Sequence, residues 1–159
     1  MNLKNYTTGI KANKTIAEIE ESLISHGARD LWKQYDGSQN IISLTFSVIT
    51  EQGKIPFKLT INPEAVRQII AEQHKKGRAR GISKKQASDM EHARNVGWRI
   101  LKDWIDAQMA LVEIRMRKLE QIFLSDIWDA QSGKTFFEIL QEKKFAGMLM
   151  EANTKGDTK

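Results

Sequence analysis

The sequence predicts an α+β fold in which a helix, a three-stranded antiparallel meander and a second helix precede a long helix and a short C-terminal helix. Three observations predict it. Apolar and polar residues alternate through much of residues 41–61, as in strands with one buried face. Apolar residues keep helical spacing through residues 84–124, where no Pro occurs. No low-complexity linker interrupts residues 1–150, so we expect a single domain, with a meander half at 14–76 and a helical half at 83–150.

A capping motif predicts where the first helix begins. Thr15 and Glu18 have the spacing of a capping box, in which each side chain accepts a hydrogen bond from the other residue's backbone N–H. Gly27 is a natural helix stop. One face between them is apolar, with Ile16, Ile19 and Leu23. We therefore predict a short helix that opens at Thr15.

The strand pattern is clearest in the middle of the meander. Residues 28–35 fit either a helix or a strand, and we interpret them as a strand because Asp36-Gly37 is a strong turn signal directly after them. In the strand from Ile41 to Thr50, the serine and threonine side chains are predicted to face water. Pro56 has no backbone N–H to donate, so the third strand is predicted to lie at an edge of the sheet.

Local start signals also predict the two shorter helices of the second half. Asn62 followed by Pro63 is a common helix entry, and we expect this helix to cover the apolar face of the meander. A capping box formed by Thr135 and Glu138 predicts the start of the C-terminal helix. Residues 151–159 are polar and are expected to form a flexible tail.

The long helix is predicted to begin near Lys84, because Ser83 and Gln86 form another capping box, and to continue to Leu124. Between Gly97 and Met116 its apolar residues occupy more than one stripe of the helix surface. A helix that is apolar on most sides needs cover on most sides. We therefore expect a homo-oligomer in which a second copy of the chain covers this helix.

Composition limits the class of protein. The net charge of +5 favours acidic partners such as nucleic acid or a nucleotide, although charge of this size also serves solubility alone. The absence of Cys excludes disulfides and thiolate metal sites and fits a reducing cytoplasm. No apolar run approaches the roughly 20 residues that cross a bilayer, so we expect no membrane association.

Positive charge is concentrated between the second helix and the long helix. Six basic side chains occur there with two Gly and no acidic residue: Lys75, Lys76, Arg78, Arg80, Lys84 and Lys85. If Arg94 and Arg99 of the long helix face the same way, the eight residues form a groove able to hold a phosphate backbone or a small anionic ligand. If they are spread around the surface, they form a solvated face with ion pairs.

Catalytic and metal-binding patterns are missing from the sequence. His92 has no second ligand four residues away, and His26 is placed to cap the first helix. Asp103 and Asp106 are expected to form ion pairs with neighbouring basic residues. No nucleophile elbow or phosphate-binding Gly-rich loop occurs, so we expect no enzyme, no cofactor and no metal. Trp98 and Trp104 are expected in the core, while Trp32 stays open as a base-stacking residue.

Several segments together resemble a family of small proteins from bacteriophages and prophages of Gram-positive bacteria. They are the opening MNLKNYTT, the HGA at 26–28, the turn at 35–37, the strand at 53–59 and the segment at 97–104. The basic segment from Gly77 to Lys85 departs from the shorter members. The resemblance implies a viral or mobile-element origin and the cytoplasm of an infected bacterial host as location, and it implies no catalytic residue.

Two functions are expected from these observations. The first is a non-enzymatic phage accessory protein that binds nucleic acid or an anionic nucleotide through the basic residues named above. The alternative is a phage-encoded inhibitor of a bacterial defence system, such as an anti-CRISPR. A phage origin, as the resemblance implies, favours both functions. An inhibitor would act by contact with a host defence protein or by sequestering a nucleotide signal.

Overall fold

The computed structural model describes residues 1–150 and confirms the α+β class. The N-terminal half contains α1 (Ala12–Ser25), the strands β1 (Arg29–Tyr35), β2 (Ile41–Thr50) and β3 (Gly53–Thr60), and α2 (Pro63–Lys75). The C-terminal half contains α3 (Lys84–Ala87), α4 (Met90–Glu113), α5 (Leu119–Ile122), a 3-10 turn (Leu124–Asp126), β4 (Trp128–Asp129), β5 (Lys134–Thr135) and α6 (Phe136–Glu142). None of these helices is long and apolar enough to cross a bilayer. The predicted tail at 151–159 lies outside the described residues.

The predicted three-stranded meander is confirmed. All neighbouring strands are antiparallel, in the order β1-β2-β3, so the interpretation of residues 28–35 as a strand is also confirmed. Pro56 lies in β3, at one edge of this sheet as predicted. The outer side of β3 carries a single bridge, from Phe57 to Ile127, which attaches the C-terminal segment to the sheet.

The main core lies between the sheet and two helices, α1 and α4. Its centre is a cluster of three fully buried phenylalanines, with Phe46 stacked on Phe57 at 5.3 Å and edge-on to Phe123 at 5.1 Å between ring centroids. Trp98 of α4 is buried in the same core, as predicted. Aromatic pairs in these geometries add to the stabilisation from burial.

The prediction that α2 covers the meander is wrong. Ile70 of α2 packs with Val96 of α4 and Ala87 of α3 in a second, separate core. Val96 and Trp98 point to nearly opposite sides of α4, so α4 has the sheet on one side and α2 on the other. A Cβ at Gly97 would lie 3.2 Å from Ile61 Cδ1 and 3.5 Å from Val66 Cγ2. The absence of a side chain at Gly97 therefore allows α2 and the segment before it to pack closely on α4.

The long helix is shorter than predicted. Ser83 does cap a helix, since its Oγ accepts a hydrogen bond from Gln86 N at 3.1 Å, but that helix is the four-residue α3. Asp89 then starts α4, with Oδ2 accepting from His92 N at 2.8 Å. At the other end, Arg115 takes a left-handed conformation with φ of +58° and ends the helix. A second local cap and one left-handed residue therefore divide the predicted helix.

The predicted start of α1 is also wrong. The helix begins at Ala12, three residues before Thr15, and the side chain of Thr15 is fully buried. The earlier start depends on α4, because Asn95 Oδ1 accepts a hydrogen bond from Ala12 N at 2.8 Å. The predicted stop is confirmed, since Gly27 has φ of +104° directly after the helix. The predicted starts of α2 and α6 are confirmed as well.

The polar face of β2 is more buried than predicted. Ser43, Thr45 and Ser47 are at most 5% exposed. Thr45 lies in register between Trp32 of β1 and Lys58 of β3, and these longer side chains screen it from solvent. The face is therefore a shallow polar trough between taller neighbours.

Candidate functional site

Residues 74–85, which we call the basic loop, join α2 to α3 on the side of α4 that faces away from the sheet. Gly77 and Gly81 have φ of +68° and +84°, in the left-handed region that favours glycine. They turn the chain twice in five residues. The charged side chains of the loop are consequently gathered in one part of the surface.

The N-terminal residues hold the backbone of the basic loop in place. Asn2 Nδ2 donates to Arg78 O at 2.9 Å, and Tyr6 Oη donates to Arg80 O at 3.1 Å. Within the loop, His74 Nε2 lies 3.1 Å from Ile82 O. Ala79 is 3% exposed and anchors the middle of the loop. The loop is therefore an ordered element, fixed to residues more than 70 positions away in the sequence.

Most of the positive charge of the basic loop is available to a ligand. Lys76 forms an ion pair with Glu72, and its hydrogen bond lowers the pKa of that carboxyl below the ordinary 4.5. The other basic side chains of the loop have no carboxylate within 4.0 Å among residues 1–150. These side chains belong to exposed residues: Lys75, Arg78, Arg80, Lys84 and Lys85.

A shallow cavity of about 470 Å³ lies beside the basic loop. Lys75 from the end of α2 and Lys84 from the start of α3 line it together with His74 and Ser88. Two ammonium groups at the rim of one cavity favour an anion there. The cavity and the exposed cations form one surface that a phosphate backbone is able to contact.

Arg94 and Arg99 do not join this surface. Arg99 Nη1 donates to Glu18 Oε2 of α1 at 2.6 Å, so its charge is used within the fold. Arg94 lines a different pocket, beside the start of α1 and the β1–β2 turn. The structure thus brings together six of the eight predicted basic residues and separates the two on α4.

His26, His92, Asp103 and Asp106 are occupied by contacts within the fold. His26 Nδ1 lies 2.7 Å from Ser22 O in the last turn of α1, in keeping with the predicted capping role. His92 Nε2 lies 2.7 Å from Tyr6 O. Asp106 pairs with Lys102, whereas Asp103 accepts from Asn5 Nδ2 at 2.9 Å. Among residues 1–150 no three ligand-type side chains come together as a metal site.

The trough along the polar face of β2 was not predicted from the sequence. Trp32 at its edge is 52% exposed, and Lys58 lies over the ring of Trp128 with Nζ 4.0 Å from the centroid. Trp104 is 39% exposed and packs edge-on against Phe123, so it is only partly in the core. In the sequence, the trough corresponds to small hydroxyl residues in β2 that pair with longer residues in β1 and β3. This pattern can be recognised only when the strand register is known.

Comparison with known proteins adds no further assignment: no protein-family model, no curated protein and no solved structure matches this chain.

Proposed function

We propose that this protein is a non-enzymatic nucleic-acid binder that contacts the phosphate backbone through the basic loop. The observation that supports this most strongly is a group of five exposed cations that have no carboxylate partner among residues 1–150, on a loop whose backbone is held by Asn2 and Tyr6. An ordered loop loses less conformational entropy on binding than a flexible one. Its cations are therefore presented to a ligand at little cost in ordering.

The contact expected from such a surface is with phosphate rather than with base edges. Lys and Arg side chains at phosphate release condensed counterions, so affinity falls steeply with salt and depends little on base sequence. The basic loop has no Asn or Gln to pair with adenine and no Asp or Glu to pair with cytosine, so its base readout is limited mainly to guanine contacts by Arg and Lys. We therefore expect binding that is strong at low salt and has low sequence specificity.

The test is fluorescence anisotropy with labelled duplex and single-stranded oligonucleotides over a series of salt concentrations. The test variant carries Arg78→Gln, Lys84→Gln and Lys85→Gln together. The control carries Lys14→Gln, Arg117→Gln and Lys143→Gln, which remove the same charge from exposed positions outside the basic loop. The test variant should lose the larger part of the affinity, and its salt slope on duplex should decrease by about 2 to 3, or about 0.9 for each phosphate that is no longer neutralised.

Equal losses of affinity in the two variants would show that net charge alone drives binding and would contradict a site at the basic loop. Absence of binding by the unmodified protein at low salt would remove the proposal altogether. Contact with a host defence protein, the other function expected from the sequence, would then be the one to test.

A further inference from the structure

A small polar pocket of about 250 Å³ lies on the other side of α4 from the basic loop. It is bounded by the first turn of α1, by Gln39 and Asn40 of the β1–β2 turn, and by Arg94 and Asn95 of α4. These elements are far apart in the sequence and meet only in the folded chain. The pocket has a separate chemical composition from the basic loop, since amide side chains provide much of its lining.

Arg94 supplies the pocket with a cation that the fold does not neutralise directly. The residue is half-buried, and among residues 1–150 its guanidinium has neither a hydrogen bond nor a carboxylate within 4.0 Å. The nearby carboxylate of Asp36 accepts instead from Ser38 N and Asn40 N. A guanidinium in this situation retains its donors for a planar or tetrahedral oxyanion.

Asn95 adds a donor that is fixed in direction. The residue is 6% exposed, and its Oδ1 is held by the hydrogen bond from Ala12 N at 2.8 Å. Asn95 lines the pocket. With Oδ1 used in that bond, its Nδ2 has no hydrogen-bond acceptor among residues 1–150. The residue is buried but its Nδ2 is not enclosed by protein, so water or a ligand in the pocket is the acceptor open to this donor.

The start of α1 contributes to the same pocket. The N-cap residue of this 14-residue helix, Lys11, forms no side-chain cap, and its first turn contains no acidic residue; Asn95 Oδ1 accepts only from Ala12 N. Asn13, which lines the pocket, has a backbone N–H without a partner among the described residues. This N–H and the positive end of the helix dipole favour an anion at this position.

One acidic residue, Glu91, also lines the pocket. It accepts a hydrogen bond from Lys11 Nζ, and this bond raises the pKa of Lys11 above the ordinary 10.5. The two charges offset each other, so Arg94 leaves the lining with a net positive charge. Glu91 is therefore expected to weaken anion binding without preventing it.

We propose that this pocket binds a phosphate group, either free or on a small molecule such as a nucleoside monophosphate. The donors come from three separate groups, the first turn of α1, the amide of Asn95 and the guanidinium of Arg94, and a tetrahedral phosphate offers oxygens in as many directions. A carboxylate presents its two oxygens in one plane and carries less charge, so it matches donors from three directions less well than a phosphate does. The volume suits a small ligand rather than a polymer.

The test is a heteronuclear NMR titration of the full chain with inorganic phosphate, adenosine monophosphate and acetate, following the side-chain amide of Asn95. Arg94→Gln removes the cation. Asn95→Asp, followed through the backbone amide of Asn13, keeps the acceptor for Ala12 N but replaces the amide donor by a negative charge. Each should weaken phosphate binding by about tenfold or more, the effect expected for one charged hydrogen bond. Glu91→Gln should strengthen it.

The matched control is the Arg78→Gln, Lys84→Gln, Lys85→Gln variant of the basic loop, which should bind phosphate in the pocket as the unmodified protein does. Its melting temperature and those of the pocket variants report that the fold is retained. Tighter binding of adenosine monophosphate than of phosphate identifies a nucleoside phosphate, and equal binding identifies free phosphate. No shift at Asn95 with either, acetate binding as tightly as phosphate, or unchanged affinity in Arg94→Gln would overturn the proposal.

Discussion

At the scale of single residues, two polar atoms in the core have no hydrogen-bond partner among residues 1–150: Thr15 Oγ1 and Trp98 Nε1. Both residues are fully buried. A buried polar atom without a partner costs about 1–3 kcal/mol of stability. For Trp98 the large apolar surface of the ring offsets this cost, whereas Thr15 has an apolar replacement of nearly the same shape.

We expect Thr15→Val to increase the free energy of unfolding by about 1 kcal/mol, because it removes the unpaired hydroxyl and keeps the volume. Denaturant unfolding followed by circular dichroism measures the change. Thr15→Ala is the control, since it removes the hydroxyl together with a buried methyl group. A decrease in stability for Thr15→Val would mean that Thr15 caps α1, as the sequence predicts and the structure contradicts.

Asp36 provides a pH-dependent contribution to the β1–β2 turn. Hydrogen bonds from the backbone and side chain of Asn40, followed by that from Ser38 N, lower the pKa of Asp36 below its ordinary 3.8. The folded state thus favours the ionised form. The resulting stability is fully present above the unfolded-state pKa and is lost as pH falls through the folded-state pKa.

Asp36→Asn should therefore melt at a lower temperature than the unmodified protein near neutral pH. The difference between the two melting temperatures should shrink below a pH of about 4 as Asp36 becomes protonated. Calorimetry at several pH values measures it. A difference that stays constant down to acid pH would show that the charge of Asp36 does not stabilise the turn.

At the scale of secondary structure, Ser83 and Asp89 are the N-caps of two different helices, because α4 begins at Met90 and not at Lys84. Asp89 caps a helix of 24 residues that contacts both cores, whereas Ser83 caps only one turn. A cap contributes to global stability only as far as its helix unfolds together with the core. The two caps form the same kind of hydrogen bond, but the helix that each one stabilises differs in length and in its contacts with the core.

We expect Asp89→Ala to reduce the free energy of unfolding by about 1 kcal/mol, the usual effect of removing an N-cap. Ser83→Ala should have a smaller effect and should mainly increase amide hydrogen exchange in α3. Denaturant unfolding of both variants, with hydrogen exchange of the second, tests this. The reverse order of effects would support one continuous helix from Lys84.

The capping motifs show how far the sequence alone predicts these elements. Asn62, Ser83 and Thr135 cap helices as predicted, because an N-cap bonds to residues within the same turn. Thr15 has the same motif but does not cap, because Asn95, distant in the sequence, extends the helix past it. Local signals therefore hold where no tertiary contact competes.

The same distinction applies to the candidate site. Residues 75–85 are neighbours in sequence, so their common position on the surface could be predicted. Arg94 and Arg99 could not be placed, because their direction depends on where α4 begins and on the partner Glu18 in α1. The hydrogen bonds from Asn2 and Tyr6 to the basic loop join two segments that no sequence pattern connects.

At the scale of the whole molecule, α4 is the central element, and the chain itself covers most of it. Apolar side chains stay exposed beyond its C-terminal end, where Ile114 is 63% and Met116 is 66% exposed. The homo-oligomer expected from the sequence stays a prediction, and this end of α4 is where the structure offers apolar surface for it.

We expect the chain to form an oligomer of the 18.2 kDa subunit through this end of α4. Ile114→Glu with Met116→Glu should dissociate it, because two carboxylates would be buried at the contact. Sedimentation equilibrium over a range of concentrations measures the mass. Ile49→Glu is the control, since this side chain is 65% exposed on the sheet. A monomer at all concentrations would remove the prediction.

The hydrogen bonds of Asn2 and Tyr6 with the basic loop have a practical consequence. Leu3 N also donates to Gln73 Oε1, so the first residues of the chain are part of the framework of that surface. A purification tag or fluorescent fusion ahead of Met1 would crowd the loop and should weaken the proposed nucleic-acid binding without changing a single cation. Handles and labels for functional assays therefore belong away from the N-terminus.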